Sequence, residues 1–381
     1  MKVADSKIAG PSPSVRRPVA VDLFAGAGGF SLGATLAGAD IAAAIENNRY
    51  AAQSYRRNLV NQGQTRALLF EDDILKLDHQ TFMTQVGLAP GDCDLMLGGP
   101  PCQGFSAHRL RDAGVGDPRN RLLLRYFEYV RALRPSFFLV ENVPGLLWPR
   151  HRSFLEGFYS MAAAAGYGML EPVILNARDY GVPQNRRRVF LLGYDERRVD
   201  APVWPPEQTH VDPAVAVEDG RPPWLTASEV FAAPAAPDDP NDVHMNHGTA
   251  LTTAFARTPH NGGSRAESGR LLACHRNHRG HFDVYGRIDP YRPGPTMTTA
   301  CINPSKGRFV HPTENHGITL RQAARFQSFP EWFVFEGGLM AGGVQVGNAV
   351  PVQMARLLIE PLIEMSLAAL GRTRQVAYSI K

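Results

Sequence analysis

The residues best suited to chemistry in this chain lie in short runs rich in glycine, proline and arginine. One run reads Gly98-Gly99-Pro100-Pro101-Cys102-Gln103-Gly104-Phe105-Ser106. Two prolines stiffen the backbone before Cys102, so its sulfur can be held in a fixed direction. A single cysteine is more often a small buried hydrophobe, but this one follows directly on an apolar run that reads as a strand. An ordinary thiol is only a few per cent thiolate at neutral pH, so a useful nucleophile needs a positive local field or an activated substrate. Glu141, in Glu141-Asn142-Val143, could supply the activation. A carboxylic acid that keeps its proton there could donate it to a ring nitrogen and so make a ring carbon a better acceptor of the nucleophile. The plainer alternative is a capping or solvated carboxylate. A third run, Gln184-Asn185-Arg186-Arg187-Arg188-Val189-Phe190, leads three arginines into a strand. On extended chain, residues i and i+2 share a side. Arg186 and Arg188 could thus present their guanidinium forks together to a carbonyl or carboxylate, with Arg187 turned away.

A second constellation would hold a cofactor. Asp22-Leu23-Phe24-Ala25-Gly26-Ala27-Gly28-Gly29-Phe30 follows the first apolar run, and its glycines allow a tight turn and close approach at the start of a helix. Alone, such a loop is weak evidence. The next strand ends in Ile45-Glu46-Asn47, which sets a carboxylate about 20 residues beyond the glycines, where it can accept from ribose hydroxyls. Asp73, in Asp72-Asp73-Ile74, follows a possible third strand. Each acid has a bland reading as a cap or a solvated charge; together they outline an adenosine pocket.

These residues need a scaffold that brings strand ends together. Residues 19–24, 41–45, 94–97, 136–141 and 189–193 read as strands. Leu122, Leu123, Tyr126, Phe127, Val130 and Leu133 recur at helical spacing, as do Phe154, Leu155, Phe158 and Met161. Strands alternating with helices predict an α/β fold with a mostly parallel, doubly wound, Rossmann-like sheet. Ligands bind such sheets beyond the carboxyl ends of the strands, where every run above falls. Helical pattern returns at 319–326 and at 351–370, where Pro361 is expected to kink or divide the last helix. Between these halves the texture is rich in Pro, Gly, Arg and His, too long for a simple connection. The expected organisation is a leader at 1–17, a catalytic domain of 18–198 plus 341–381, and a smaller, loop-rich inserted domain at 199–340.

The 381 residues carry a net charge of +4, with 44% hydrophobic and 20% charged, ample for one large core. Residues 270–310 hold Arg270, Arg276, Arg279, Arg287, Arg292, Lys306 and Arg308 against Asp283 and Asp289, whereas residues 206–243 are acidic with Arg221 alone. That asymmetry suits a face for a phosphate backbone, although solvated surface explains it equally well. Cys93, Cys102, Cys274 and Cys301 form no CxxC pair, so neither a zinc ribbon nor a disulfide framework is indicated. Cys274, His275, His278 and His281 match no common metal spacing, and no metal is expected. No apolar run suits a membrane span and the N-terminus does not read as a signal peptide, so a cytoplasmic, nucleoid-associated protein is expected.

Taken in order, the runs resemble those of the DNA cytosine-5 methyltransferases of bacterial and phage type. The likeness extends from about Val19 to Leu367: residues 22–33, 99–106, 141–143, 184–190, 321–330 and 347–351 match six family signatures in the family order. The resemblance implies S-adenosylmethionine as cofactor, S-adenosylhomocysteine as product, and double-stranded DNA as substrate. It implies that Phe24 stacks on adenine, Glu46 holds the ribose, and Asp73 meets the adenine amino group. Gly26, Gly28, Gly29, Asn47 and Ile74 complete that pocket, Pro101 and Leu122 line it, and Asn348 reaches it from the C-terminal signature. Cys102 is implied to attack carbon 6 of a flipped-out cytosine while Glu141 holds N3 and Arg188 the base oxygen, with Arg186 nearby. Gln103 and Ser106 are implied DNA contacts. The inserted region corresponds to the target-recognition domain, where Arg257, Arg265, Arg270, Arg276 and Arg279 are candidates. The resemblance also implies a monomer and a possible cognate restriction endonuclease. A tRNA methyltransferase of the same scaffold typically carries a Cys-Phe-Thr segment, which is absent here. A non-catalytic DNA-binding relative would usually lack the nucleophile or the acid, and both are present. Transfer of a group other than methyl stays open.

Overall fold

Strands covered by helices on both faces are apolar throughout, and the burial of these segments follows that rule. The computed structural model describes residues 16–101, 121–269 and 283–379. Five strands are β1 (Val19–Leu23), β2 (Asp40–Ile45), β3 (Leu68–Phe70), β4 (Leu95–Gly98) and β5 (Phe137–Asn142). Three more are β6 (Tyr167–Met169), β7 (Val173–Asn176) and β8 (Arg187–Asp195). They form one sheet of order β3-β2-β1-β4-β5-β8-β6, with β7 also on β8. Strands β1 to β5 are parallel, while β8 runs antiparallel to β5 and β6. The order reverses between β1 and β4, which opens a crevice at their carboxyl ends. The doubly wound reading holds. Strands β6 and β7 were not anticipated, because three or four residues are too few to show a period.

The chain packs as two compact units: Met1–Leu175 with Arg187–Glu207 and Ala355–Lys381, and Asn176–Arg186 with Gln208–Met354. In the first, α1 (Gly29–Leu36), α2 (Arg49–Tyr55), α3 (His79–Val86), α4 (Arg121–Leu133) and α5 (Arg152–Ala164) return the chain between strands. Asn48 caps α2, its Oδ1 accepting from the N–H groups of Tyr50 and Ala51, and Asp78 caps α3. Helix α4 buries Leu123, Tyr126, Phe127, Val130 and Leu133, the face expected from their spacing. Phe138 of β5 meets Phe127, Phe158 and Tyr167 edge-on, with ring centres 5.3 to 6.2 Å apart.

The second unit holds α6 (Ala216–Asp219) and α7 (Ser228–Phe231), each a single turn, then α8 (Thr249–Arg257), α9 (Leu320–Phe326) and α10 (Gly338–Asn348). With so little regular structure, its backbone polar groups are met by buried side chains. Arg287, fully buried, donates to the carbonyls of Phe255, Thr258, His311 and Glu314. Arg308 bonds Gly262 O and pairs with Asp283. Two of the seven cations counted in the basic stretch are therefore structural, and they carry no free charge for a partner. Arg321 at the start of α9 is 1% exposed and pairs with Asp239. Nearby, His244 and His316 stack with ring centres 4.0 Å apart, and His311 lies 5.5 Å from His316.

The last helix, α11 (Val352–Ser379), is continuous through Pro361, so the proline does not divide it. Proline forfeits one backbone hydrogen bond at a cost of about 3 kcal/mol. Leu358, Ile359, Leu362 and Ile363, all 4% exposed or less, bury a face on both sides of it, and that burial outweighs the cost.

Removing Asp239 strands the Arg321 guanidinium in the interior. Asp239→Ala is expected to lower unfolding free energy by about 3 kcal/mol in urea titrations. Burial, aided by His316 and Arg287, holds His311 down at about 4, and burial also lowers His247 and His316. An unfolded histidine takes up its proton near pH 6.5. The second unit should therefore be fully stable above that pH and lose stability progressively as pH falls from about 6.5 toward 4. Thermal melts across that window check this; a flat profile would contradict the buried neutral cluster.

Candidate active site

The glycine-rich turn after β1 is held by the carboxylate that ends β2. Glu46 accepts from the N–H of Gly26 at 2.8 Å and of Asn48 at 2.7 Å, and burial raises its pKa. Phe24 adopts a left-handed backbone, φ 61°, rare for a bulky residue and a mark of local strain. At Gly28 a Cβ would come 2.4 Å from Leu59, at φ 99°, whereas at Gly26 it would meet nothing within 4 Å. The turn is thus packed underneath and open above. Below it, Asp22 accepts from the Ser31 hydroxyl at 2.6 Å, and burial pushes its pKa up to about 7. Asp73, half-buried, accepts from the N–H of Leu75. Ile74 is buried, Phe24 and Leu122 are half-buried against the core, and Asn47 and Pro101 are exposed. The carboxyl ends of β1, β2 and β3 therefore carry a half-buried ring, open backbone and acceptor oxygens, a combination suited to an adenosine.

Next to this lies the second cluster. Glu141, 8% exposed at the end of β5, pairs with Arg188 at 2.8 Å. A Cβ on Gly99 would stand 3.5 Å from Glu141 Oε2, and the Asn142 amide donates to Pro100 O at 3.2 Å. The segment entering Cys102 is thereby tied to the acid. Cys102, Gln103 and Ser106 lie outside the described residues, as do Arg270, Arg276 and Arg279 and the group from Cys274 to His281. Cys93 and Cys301 are fully buried, and burial pushes both thiols up, Cys301 to about 12. Neither is a nucleophile. Among the described residues no group of three His, Cys, Asp or Glu could hold a metal, and no helix is long and apolar enough to cross a membrane.

Two expectations need correction. Arg186 precedes β8, and its fork is committed to three carbonyls of the second unit: Met297 at 2.8 Å, Gly347 at 2.9 Å and Ala349 at 2.8 Å. Because Arg186 lies outside the strand, the i, i+2 rule does not carry it to the side of Arg188. Arg265 is 8% exposed and cannot read a surface ligand, whereas Arg257 and Asn348 are exposed. Asn142, Gln184 and Gln327 were not singled out. All three lie inside the recognised runs, and the available signal was an amide within two residues of a charged one: Asn142 beside Glu141, Gln184 near Arg186 and Gln327 near Arg325.

The comparisons agree with this geometry. The family model for C-5 cytosine-specific DNA methylases matches residues 19–364. The chain is 31% identical to Type II methyltransferase M.DdeI of Desulfomicrobium norvegicum, over 89% of this chain and 87% of that protein. It is also 31% identical to Type II methyltransferase M.XorII of Xanthomonas oryzae, over 89% and 83%. Among solved structures, a prophage-encoded E. coli protein described as a DNA modification methyltransferase superposes with a TM-score of 0.68 at 24% identity, covering 91% of this chain and 99% of that one. The S. pombe Dnmt2 methyltransferase shares the fold at 0.53 and 19%, over 91% and 99%. With a family model spanning most of its length and relatives above 30% identity on the same extent, this chain belongs to the C-5 cytosine-specific DNA methylases and is a DNA cytosine-5-methyltransferase.

Proposed function

We propose that this enzyme uses S-adenosylmethionine to methylate carbon 5 of a flipped-out cytosine in a specific double-stranded DNA sequence, through a covalent bond from Cys102 to carbon 6. The observation that carries the reading is the Glu141–Arg188 pair, tied by Gly99 and Asn142 to the segment that enters Cys102. The cofactor supplies an electrophilic methyl group. Glu46, Phe24 and the open face at Gly26 fit its adenosine, with Asp73, Ile74, Asn47, Gly28, Gly29, Pro101 and Leu122 around it. The residues of the chain do the rest. The Cys102 thiolate adds to carbon 6, and Glu141 holds N3 and steadies the charge that develops in the ring. Arg188 orients Glu141 and binds the base oxygen. Carbon 5, made nucleophilic, takes the methyl; loss of its proton and departure of the thiolate restore the ring. The base must leave its stack for the sulfur to reach carbon 6, at a cost of a few kcal/mol. Residues 199–340 are assigned to target recognition, with Gln103, Ser106, Arg270, Arg276 and Arg279 as DNA contacts. As for the Type II relatives, a modification role beside a cognate endonuclease is part of the proposal.

Cys102→Ser is expected to abolish methyl transfer while DNA binding persists, and only the unsubstituted protein should form an adduct with 5-fluorocytosine DNA, read as a gel shift under denaturing conditions. Methylation by the serine variant would refute the covalent route. Glu141→Gln should slow turnover by roughly 10²- to 10⁴-fold in tritiated-methyl assays; an unchanged rate would take Glu141 out of the mechanism.

A further inference from the structure

The glycine turn after β1 is built from residues that cannot hold a shape by themselves. Gly26 and Gly28 take left-handed backbone, φ 58° and 99°, and Gly28 opens α1 without a side-chain cap. Glycine enters many conformations, so such a turn keeps one only where its surroundings enforce it. Glu46 fixes Gly26 through its N–H at 2.8 Å. Gly28 donates within the turn, to Ala25 O, and its outside support comes from below. A Cβ on Gly28 would overlap the Leu59 side chain and fall 2.9 Å from Tyr55 Cδ2, so both side chains stand directly against that backbone. Tyr55 and Leu59 are each 0% exposed, out of reach of any ligand.

Two features fix this shelf. After Tyr55, α2 widens into one turn of π-helix, Arg56–Val60, and the N–H of Asn61 bonds Arg56 O. Such turns are rare and are frequent at functional sites. The change of winding falls between the two shelf residues, and there the buried Asn58 amide donates to Ser54 O at 2.7 Å. The second feature is a chain of hydroxyls. Tyr55 donates to the Ser31 hydroxyl at 2.9 Å, and Ser31 donates to Asp22 at 2.6 Å. The Thr65 side chain also meets the Tyr55 hydroxyl. Asp22 lies in β1 and Ser31 in the first turn of α1, the two sides of the glycine turn. Both are buried, so the chain ties each side of the turn to the shelf where water cannot replace a bond.

We infer that Tyr55 and Leu59 are positioning residues that hold the glycine turn in its cofactor-binding shape while touching neither cofactor nor DNA. The inference rests on the reading that this turn carries the adenosine. A turn already ordered spares the ligand the cost of ordering it.

The test joins two measurements on the full chain: calorimetric titration of S-adenosylhomocysteine, and hydrogen exchange of residues 22–30 in the unliganded protein. Tyr55→Phe keeps the ring under Gly28 but removes the hydroxyl that reaches Ser31. It should weaken binding about threefold to tenfold and speed exchange across residues 22–30. Leu59→Ala, which leaves a void beneath Gly28, should do both at least as strongly. Tyr167→Phe is the control. It removes a similarly buried hydroxyl that donates to Pro135 O at 2.9 Å, before the amino end of β5, and should change neither. In methyl-transfer assays the KM for S-adenosylmethionine should rise in Tyr55→Phe with kcat nearly unchanged. Wild-type affinity in both shelf variants would overturn the inference, as would weaker binding without faster exchange. So would equal losses in Tyr167→Phe, the mark of a general stability effect, or a fall in kcat at unchanged KM. Wild-type affinity in Phe24→Ala and Glu46→Gln would instead overturn the placement of the cofactor beneath it. Failure of both shelf variants to fold, judged by circular dichroism, would make the shelf a general core contact and refute a positioning role.

Discussion

The pairing of Glu141 with Arg188 is the constraint around which the rest of the site is arranged. Both side chains are nearly shielded from water, and a shielded charge without a partner costs several kcal/mol. The pair exists because β8 runs antiparallel to β5, so that Glu141 faces Phe190 in the ladder and the chain leaves β5 where β8 begins. Had β8 been parallel, its amino end would lie at the opposite edge of the sheet. The one antiparallel long strand in an otherwise parallel arrangement thus brings an acid and a base from 47 positions apart to one edge.

The parallel strands supply the second half of the arrangement. Their carboxyl ends converge where the order reverses between β1 and β4. There the strained Phe24, the packed Gly28 and the doubly bonded Glu46 come together, and Gly99 and Pro100 begin the segment that leads to Cys102. Strain of this kind persists only where the surroundings over-determine it. The core of phenylalanines and tyrosines beneath β5 and the caps on α2 and α3 provide that surplus.

The second unit solves a different problem. Among the described residues it has few helices and almost no strands, and its backbone is satisfied by buried arginines and glutamines. Arg186, Arg287 and Arg321 are its most enclosed cations, each spending its fork on carbonyls or a carboxylate. Of the cations counted in the basic stretch, Arg287 is one that is spent in this way. Arginine suits the task because its rigid fork meets several acceptors at once.

The sequence by itself determined the family and the scaffold. The residue types in the Cys102, Glu141 and Arg188 runs, their order, and the alternation of apolar strands with amphipathic helices are local properties that one-dimensional spacing records. Only the tertiary structure decided which partner each charge took. Arg186 and Arg188 look alike on the page, yet one is enclosed by the carbonyls of Met297, Gly347 and Ala349 while the other meets Glu141. Likewise Pro361 reads as a helix breaker, and whether it breaks one depends on the burial of its neighbours. Spacing fixes where a side chain can start, but its partner lies 47 residues away for Arg188 and more than a hundred for Arg186, and only packing brings each pair within hydrogen-bonding distance.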